Sequence, residues 1–406
     1  MKIIQSANEQ KLILTSDEKT LIHQLLLSQT NTRKSLSEAL GVSPAWITKT
    51  VKPLISQNLV GELGETENSG GRRAKLLGFS PDAGNVLGLD LGMNSIKIGL
   101  SDLNIQDVII EEIPFEHQSE QCGSVVLDRI RSYLQGSGVI LDKIRGIGIC
   151  YPGPVDLLEE NEKTDRSQRE MYENFIIPAL LEQFPEASIM ADRDVCLMAL
   201  GEKTFGKGQE LQNFIYLNIG NRISAGIVCR GQIHRGNSGY AGEIGHIVVE
   251  EDGPLCHCGK SGCLEALAGG RAIGDQANQL AESGKSVLLS ELSMQKGKDL
   301  SAIDVAEAAS RGDISALDLI DRSGEYVGKV LTDLVSFFNP EFVFIGGGVS
   351  KIGHRFLKKI HQVVLREANP MTTRDLRIEY SRMSERAGVF GALKMAQCAL
   401  FIERAQ

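Results

Sequence analysis

Residues 242–265 (GEIGHIVVEEDGPLCHCGKSGCLE) concentrate side chains that bind metals and hydroxyl groups. The closely spaced metal-ligand types are one imidazole and three thiols: His246, Cys256, Cys258 and Cys263. One histidine and three thiolates complete a tetrahedron, which suits a structural Zn²⁺ and leaves no open position for a catalytic one. His257, which stands between two of the cysteines, is a rival for the imidazole position. The spacing therefore predicts one structural zinc ion per chain.

The remaining five cysteines stand alone in mostly apolar surroundings, as reduced core thiols do: Cys122, Cys150, Cys196, Cys229 and Cys398. The sequence has no apolar run of eighteen residues, so no membrane-spanning helix is expected. The first twenty residues lack the apolar core of a signal peptide. We therefore expect a cytoplasmic protein in a reducing compartment that is not embedded in a membrane.

The first eighty residues show the spacing of a helix-turn-helix. An amphipathic helix precedes residues 32–60, in which small Ser37 lies four positions before Gly41. A small residue where two helices touch and a glycine at the tight turn are typical of this motif. Ser43 is expected to cap the second helix, with Pro44 in its first turn.

The candidate DNA contacts lie on two elements. The exposed face of the second helix is predicted to carry Ser43, Trp46, Thr48, Lys49 and Lys52. Residues 59–79 indicate two short strands around a Gly/Ser/Asn-rich tip with Arg72 and Arg73, which is typical of the wing of a winged helix. Because the net charge is −9, phosphate contacts must come from such a locally basic segment. The helical spacing alone also fits a protein-interaction module, and the basic wing favours DNA.

The rest of the chain repeats one design, a strand, a glycine-containing turn and a second strand. It occurs at residues 85–103 and again at 214–233, and two further buried strands, in 144–156 and 341–350, run into Gly-Pro and triple-glycine loops. Two related hairpins predict a two-lobed α/β body of the actin/hexokinase type. In kinases of that type the hairpin turns offer backbone N–H groups to ATP phosphates.

The length and pattern of the chain predict three domains. The 406 residues, 42% of them hydrophobic, suffice for two or three. We place a winged helix-turn-helix domain over residues 1–80, a smaller α/β lobe over 81–195 and a larger α/β lobe over 196–406. The larger lobe is expected to carry the zinc site and an oligomerisation surface. The division leaves open whether the last helix returns to the smaller lobe.

The order of these motifs resembles the ROK family of repressors and sugar kinases. The segments that carry the resemblance follow the helix-turn-helix and are DRDVCLMALGEKTFG (192–206), GYAGEIGH (239–246), CHCGKSGCLE (256–265) and IGGGVS (345–350). The combination of Glu-x-Gly-His with Cys-x-Cys-Gly-x-x-Gly-Cys-x-Glu is specific to that family, and the resemblance covers essentially the whole chain. The N-terminal domain is similar to that of the family's transcriptional repressors.

The resemblance implies roles for individual residues. In ROK sugar kinases the Asp of an Asn-Asp pair is the general base on the sugar hydroxyl, and here the matching residue is Asp194, a vestigial base candidate. The implied ligand-binding set is Arg193, Asp194, Glu243, His246 and Glu265. The resemblance also favours His246 over His257 as the metal ligand. Ionised carboxylates accept hydrogen bonds from neighbouring hydroxyls, whereas Asp194 taken alone also fits a helix cap.

Departures from the kinase pattern indicate a binding protein, not an enzyme. Residues 90–94 read DLGMN, whose last two residues replace Gly and Thr, and residues 220–222 read GNR where a kinase has Gly-Thr-Gly. Side chains at those turns obstruct the close backbone approach that phosphates need. Arg193 replaces the Asn before the base, and the sugar loop expected within 161–175 is unrecognisable. With only the triple glycine 346–348 intact, we expect little or no kinase activity.

Three functions remain open. The first is a sugar-responsive repressor of carbohydrate uptake or metabolism genes, which binds operator DNA as a homodimer or homotetramer and is released by a sugar or sugar phosphate. The second is an active or bifunctional ROK sugar kinase, and the third is a regulator that senses a sugar-transporter protein. Arg193 and Arg222 either receive the phosphate of a sugar 6-phosphate or form structural salt bridges. The altered turns and the winged helix favour the first function.

Overall fold

The computed structural model describes residues 1–5, 14–28, 31–66, 73–92, 95–114, 122–153, 172–297 and 299–401. These residues form two compact units. The first unit contains the described residues up to 153, residues 172–192 and residues 392–401, and the second contains residues 193–391. The winged-helix segment and the sheet that follows it therefore belong to one unit, and the predicted division into three domains stays a prediction.

The N-terminal segment is a winged helix-turn-helix, as predicted. Helix α1 (Ser16–Leu27) begins with a capping box, α2 (Arg33–Leu40) ends at the left-handed Gly41, and α3 (Pro44–Ser56) is capped by the Ser43 hydroxyl, which accepts from the Trp46 N–H at 3.2 Å. The strands β2 (Asn31–Thr32), β3 (Val60–Glu65) and β4 (Lys75–Phe79) form a sheet in the order β2-β4-β3. The core that joins these helices consists of buried side chains that include Leu21, Ile22, Leu36, Ile47 and Leu54.

The first unit also contains a six-stranded sheet in the order β1-β9-β8-β5-β6-β7. Its strands are β1 (Lys2–Gln5), β5 (Asn85–Leu91), β6 (Ser95–Asp102), β7 (Ile109–Pro114), β8 (Ile144–Tyr151) and β9 (Ser188–Arg193). Helices α4 (Cys122–Ser137) and α5 (Ile177–Gln183) belong to the same unit. The hairpin β5–β6 is antiparallel, while β8 runs parallel to β5.

The second unit repeats this arrangement in a five-stranded sheet ordered β12-β11-β10-β13-β14. Its strands are β10 (Phe214–Ile219), β11 (Ile223–Cys229), β12 (Gln232–His234), β13 (Phe342–Gly346) and β14 (Arg377–Tyr380). Here too an antiparallel hairpin, β10–β11, adjoins a parallel strand, β13. The same order in the first unit, β7-β6-β5-β8-β9, makes the two sheets counterparts, as the repeated hairpin design predicts.

Helices account for most of the remainder of the second unit. They are α6 (Asp194–Phe205), α7 (Leu264–Ala268), α8 (Gly270–Glu282), α9 (Val287–Lys296), α10 (Ala302–Ser310), α11 (Ile314–Phe338), α12 (His354–Glu367), α13 (Pro370–Thr373) and the first residues of α14 (Ala387–Ala399). The long α11 packs along α12, and its buried face includes Leu319, Val327 and Leu331. Among the described residues, we find no helix with the length and apolar character needed to cross a membrane.

The second half of α14 belongs to the first unit and contacts the winged helix. The buried Lys394 ammonium donates to the carbonyl of Leu26 in α1 and, at 2.7 Å, to Gln397 Oε1. Burial lowers the pKa of Lys394. The ring of Phe401 stacks on that of Phe79 at the end of β4, with 5.4 Å between the centroids. Lys394 and Phe401 therefore anchor α1 and the strand β4 of the winged helix.

Gly148 provides a test of this packing. A Cβ at Gly148 would lie 1.9 Å from the backbone oxygen of Ala392, so Gly148→Ala must displace α14 or β8. We expect a loss of about 1–3 kcal/mol in the free energy of unfolding, measured by urea denaturation. The control is Gly136→Ala in α4, where a Cβ meets open space and is expected to stabilise the helix by about 0.5–1 kcal/mol. Equal effects of the two substitutions would contradict this account of the packing.

Candidate functional site

The four predicted metal ligands lie together in the second unit. The ligand atoms of His246, Cys256, Cys258 and Cys263 are all within 4.8 Å of one another. His246 Nδ1 is 3.6 Å from Cys256 Sγ, and the same distance separates Cys258 Sγ from Cys263 Sγ. Ligands at about 2.0–2.3 Å around a tetrahedral metal are separated by roughly 3.3–3.8 Å, so this cluster has the dimensions of a metal site.

Backbone contacts between two parts of the loop bring the members of the cluster together. Isolated bridges join Val248 to Cys263 and Leu255 to Ser261, and His246 ends a 3₁₀ turn just before them. Gly262 has φ +69°, and a Cβ there would lie 1.5 Å from the Glu250 oxygen, so only glycine fits this close backbone approach. A glycine between the cysteines is therefore needed for the loop to bring the sulfur atoms together.

The thiols differ in their tendency to ionise. Burial and the neighbouring sulfurs raise the pKa of Cys263 to about 12, and burial also raises the pKa of Cys256. At Cys258 burial acts in the same direction, but the backbone N–H of Lys260 and hydrogen bonds from the other two thiols bring its pKa below the ordinary value. Three adjacent thiolates need a cation to balance their charge, and a metal bound by them would supply it.

His257 lies beside the cluster and contacts a different group. Its Nδ1 is 3.2 Å from Glu265 Oε1, and its ring meets that of His246 edge-on at 5.0 Å between centroids. His246, His257 and Glu265 form a second set whose ligand atoms lie within 4.8 Å. The pairing of His257 with Glu265 has no signal in the spacing of the sequence, because it depends on how the loop folds back on α7.

Glu265 connects that loop to the central hairpin of the unit. It lies in the first turn of α7, is 8% exposed, and accepts the backbone N–H of Ile223 at 2.8 Å. Ile223 begins β11, directly after the turn at residues 220–222. One carboxylate oxygen of Glu265 therefore secures the hairpin, and the other faces His257.

Arg193 pairs with Glu243 where β9 ends and α6 begins, directly before Asp194 in the chain. The Arg193 guanidinium forms an ion pair with Glu243 and donates to the carbonyls of Gly239 at 2.8 Å and Ala241 at 2.9 Å. Asp194 is the first residue of α6, and its Oδ1 accepts the N–H of the next residue, Val195, at 2.7 Å. Of the two alternatives for Arg193 considered in the sequence analysis, the structure has the salt bridge within the protein.

Other predicted positions can be placed only in part. Met93 and Asn94 of the first phosphate turn, Arg72 of the wing and residues 161–171 lie outside the described residues. In the second turn Gly220 N–H donates to the Arg222 carbonyl at 2.9 Å, and Arg222 is half-buried.

The candidate DNA contacts on α3 have the predicted exposure. Trp46 is half-buried, and the exposed positions are Ser43, Thr48, Lys49 and Lys52. At the base of the wing Arg73 lies 3.9 Å from Glu65, and both side chains are more than half exposed. Hydrogen bonds from Lys75 and Arg33 lower the pKa of Glu62 on the same strand, β3. Arg73 and Lys75 thus have acidic neighbours on β3 that partly balance their charge.

The fold and the site define a member of a family with known relatives. The profile of the ROK family matches residues 86–399, so the chain belongs to the ROK family. It is similar to the xylose repressor of Caldicellulosiruptor bescii, with 29% identity over 93% of each chain. It is also similar to the DNA-binding transcriptional dual regulator NagC of Escherichia coli K12, with 28% identity over 90% of this chain and 88% of that protein.

Solved structures show the same likeness. A ROK family transcriptional regulator, a homologue of the E. coli MLC protein, matches with a TM-score of 0.74 and 26% identity over 95% of this chain and 97% of its own. A ROK family glucokinase from Streptomyces griseus, solved with glucose and AMPPNP, matches with a TM-score of 0.63 and 26% identity over 78% of this chain and 100% of its own. The predicted actin/hexokinase-like ROK fold is confirmed.

Glu265 allows a direct test of the site's architecture. Glu265→Ala would leave the buried N–H of Ile223 without its acceptor, which we expect to cost about 1–3 kcal/mol of unfolding free energy. Glu265→Gln keeps an acceptor oxygen and should lose clearly less. Denaturant unfolding of the three proteins measures the difference. Equal losses in the two variants would show that the hydrogen bond to Ile223 does not hold the hairpin.

Proposed function

We propose that this chain is a sugar-responsive, DNA-binding transcriptional repressor of genes for carbohydrate uptake or metabolism. The observation that carries the proposal is the segment in front of the family match, which begins at residue 86. The match to the S. griseus glucokinase includes the whole length of that kinase but only 78% of this chain. The C. bescii xylose repressor covers 93% and the MLC homologue 95%. What this chain has beyond the kinase is the winged helix.

In the proposed complex α3 enters the major groove of operator DNA and the wing contacts the backbone. The proposed contacts are Ser43, Trp46, Thr48, Lys49, Lys52, Arg72 and Arg73. The repressor acts as a homodimer or homotetramer, because paired half-sites match the two-fold symmetry of a dimer. A sugar-transporter protein is a further candidate partner of the same regulator.

The proposed effector site consists of Arg193, Asp194, Glu243, His246 and Glu265. Its carboxylates are acceptors for the neighbouring hydroxyls of a sugar or sugar phosphate. The metal at His246, Cys256, Cys258 and Cys263 is proposed to be one structural Zn²⁺ per chain, since a closed His/Cys₃ set suits that ion. It holds the loop that carries Glu243 and the start of α7 with Glu265.

The alternative function is an active or bifunctional sugar kinase, which the glucokinase likeness favours. We propose that kinase activity is absent or vestigial, because residues 220–222 read GNR where a kinase has Gly-Thr-Gly and Arg193 replaces the Asn before Asp194. With ATP, Mg²⁺ and a panel of hexoses, pentoses and amino sugars, we expect turnover far below the typical range of about 1–1,000 s⁻¹. Phosphorylation within that range that disappears in Asp194→Asn would establish the kinase instead.

The metal proposal predicts about one zinc per chain in the purified protein. Cys263→Ser removes one thiolate and should lose the metal, because three ligands without the fourth bind it far more weakly. Cys229→Ser, at the end of β11 and outside the cluster, is the matched control and should keep it. Elemental analysis by mass spectrometry measures both. Zinc at full occupancy in Cys263→Ser, or none in the parent protein, would contradict the proposal.

The DNA proposal predicts that Lys49→Ala weakens binding to operator fragments selected from genomic DNA. Each lost phosphate contact releases one counterion fewer, so the plot of the logarithm of the DNA-binding constant against the logarithm of the salt concentration becomes less steep. Its slope should decrease in magnitude by about 1 in Lys49→Ala and by about 2 in the double variant Arg72→Ala/Arg73→Ala. Lys285→Ala removes the same charge from an exposed position of the second unit and serves as the control. Fluorescence anisotropy across a salt series measures the slopes. Unchanged slopes in both α3 and wing variants would refute the winged-helix contacts.

A further inference from the structure

Arg193 joins the proposed sugar site to residues 239–243 through its side-chain contacts. It ends β9 directly before Asp194, and its side chain is 4% exposed. The Nη1 group donates to the two carbonyls of Gly239 and Ala241, and Nη2 donates to the Glu243 carboxylate. Both terminal nitrogens of the guanidinium are therefore engaged inside the protein, and its charge is balanced there.

These contacts determine what Glu243 offers to a ligand. Its Oε1 is taken by Arg193, while Oε2 lies 3.9 Å from His246 Nε2 and the side chain is 37% exposed. The residues before Glu243 are held in turn, since the Ala225 N–H of β11 donates to the Gly242 carbonyl at 2.8 Å. Glu243 is thus a fixed acceptor with one oxygen left for a hydroxyl group.

We propose that Arg193 is a positioning residue that holds Glu243 toward the ligand, and that the site selects unphosphorylated sugars over sugar phosphates. This inference rests on the sugar-responsive function proposed above. It decides against the alternative in which Arg193 receives a phosphate, because a guanidinium that is 4% exposed and already engaged with three acceptors is shielded from a ligand in the site.

The charge of the site leads to the same selectivity. Carboxylate oxygens of Glu243 and Glu265 both lie within 4.8 Å of ring nitrogens of His246, and Arg193 is already paired with Glu243. A phosphate brought next to these groups would be repelled, since like charges in a partly desolvated site disfavour binding strongly. A neutral sugar instead supplies the hydroxyl donors that acceptor-only carboxylates require. Arg222 is the remaining cation of the pair that the sequence singled out, and the experiment includes it as the competing receptor.

Isothermal titration calorimetry of the full-length protein tests the selectivity. The probes are D-xylose, D-glucose and N-acetyl-D-glucosamine, together with the 6-phosphates of the latter two. We expect at least one neutral sugar to bind, and any 6-phosphate to bind at least about tenfold more weakly than its parent sugar. A 6-phosphate that binds as tightly as its parent, or more tightly, overturns the inference, and loss of that affinity in Arg222→Ala would assign the phosphate to Arg222.

A double-mutant cycle tests the positioning role with the neutral sugar that binds best. Arg193→Met should weaken its affinity by about tenfold or more, and Arg193→Lys by less, because lysine keeps the charge beside Glu243. In a Glu243→Gln background the same Arg193→Met change should cost less than about threefold. Arg271→Met, at an exposed position of α8, is the matched control and should bind as the parent does.

The outcomes separate this inference from the function on which it rests. If Arg193→Met weakens binding equally in the parent protein and in the Glu243→Gln variant, Arg193 is merely structural and the positioning role is refuted. If Arg193→Met does not fold, the lysine variant and the comparison of sugar with 6-phosphate on the parent protein still decide. If no probe binds the parent protein, the proposed sugar response fails first and this inference fails with it.

Discussion

The candidate site depends on a segment of about thirty residues between β12 and α7 that has little regular secondary structure. Such a segment cannot satisfy its backbone or keep its shape through a strand ladder or a helix. Its shape comes from cross-links: the His246/Cys₃ cluster at one end and the Arg193 clamp on residues 239–243 at the other. A metal bound at the cluster would therefore contribute folding free energy to this segment, as structural zinc does in small domains.

The second constraint is the repeated hairpin. In each unit an antiparallel pair adjoins a parallel strand, so the turn of the hairpin lies beside the end of that strand. In a phosphotransfer enzyme such turns must present bare backbone to phosphates. Here Arg222 occupies the second turn, and Glu265 uses one oxygen to secure the residue that follows it. The hairpin frame therefore recurs in both units, and in the second unit Glu265 ties it to the loop that carries the metal-ligand cluster.

Local patterns in the sequence predicted the elements whose causes are local. Ser37, Gly41 and Ser43 define the helix-turn-helix because a small contact residue, a left-handed turn and a cap act within a few positions. The cluster of candidate metal ligands was predictable because Cys256, Cys258 and Cys263 are close in sequence as well as in space. These features do not depend on how distant parts of the chain pack.

Pairings over long distances could not be predicted in this way. Arg193 finds its acceptors 46–50 residues further along the chain, and β1 pairs with β9 across most of the first unit. Neither of these pairings can be predicted from hydrophobic periodicity, which indicates only which face of an element is buried. The sequence therefore placed Arg193 at the site through its neighbour Asp194, but its alternative roles were distinguished only by the contacts of its guanidinium.

The chain passes from the first unit to the second between Asp192 and Arg193, and the return lies inside α14, between Gly391 and Ala392. Within the second unit the two helices at these crossings, α6 and α14, pack backbone to backbone: a Cβ at Gly391 would lie 1.9 Å from the Leu197 oxygen. Arg193 and Asp194 stand at the start of α6, and the end of α14 holds the Leu26 carbonyl through Lys394. An effector can change DNA binding only if it binds two arrangements of the protein with different affinity. Helix α6 begins at the proposed sugar site and packs on the first residues of α14, and the second half of α14 contacts the winged helix, so these two helices are where a difference between the arrangements is to be sought.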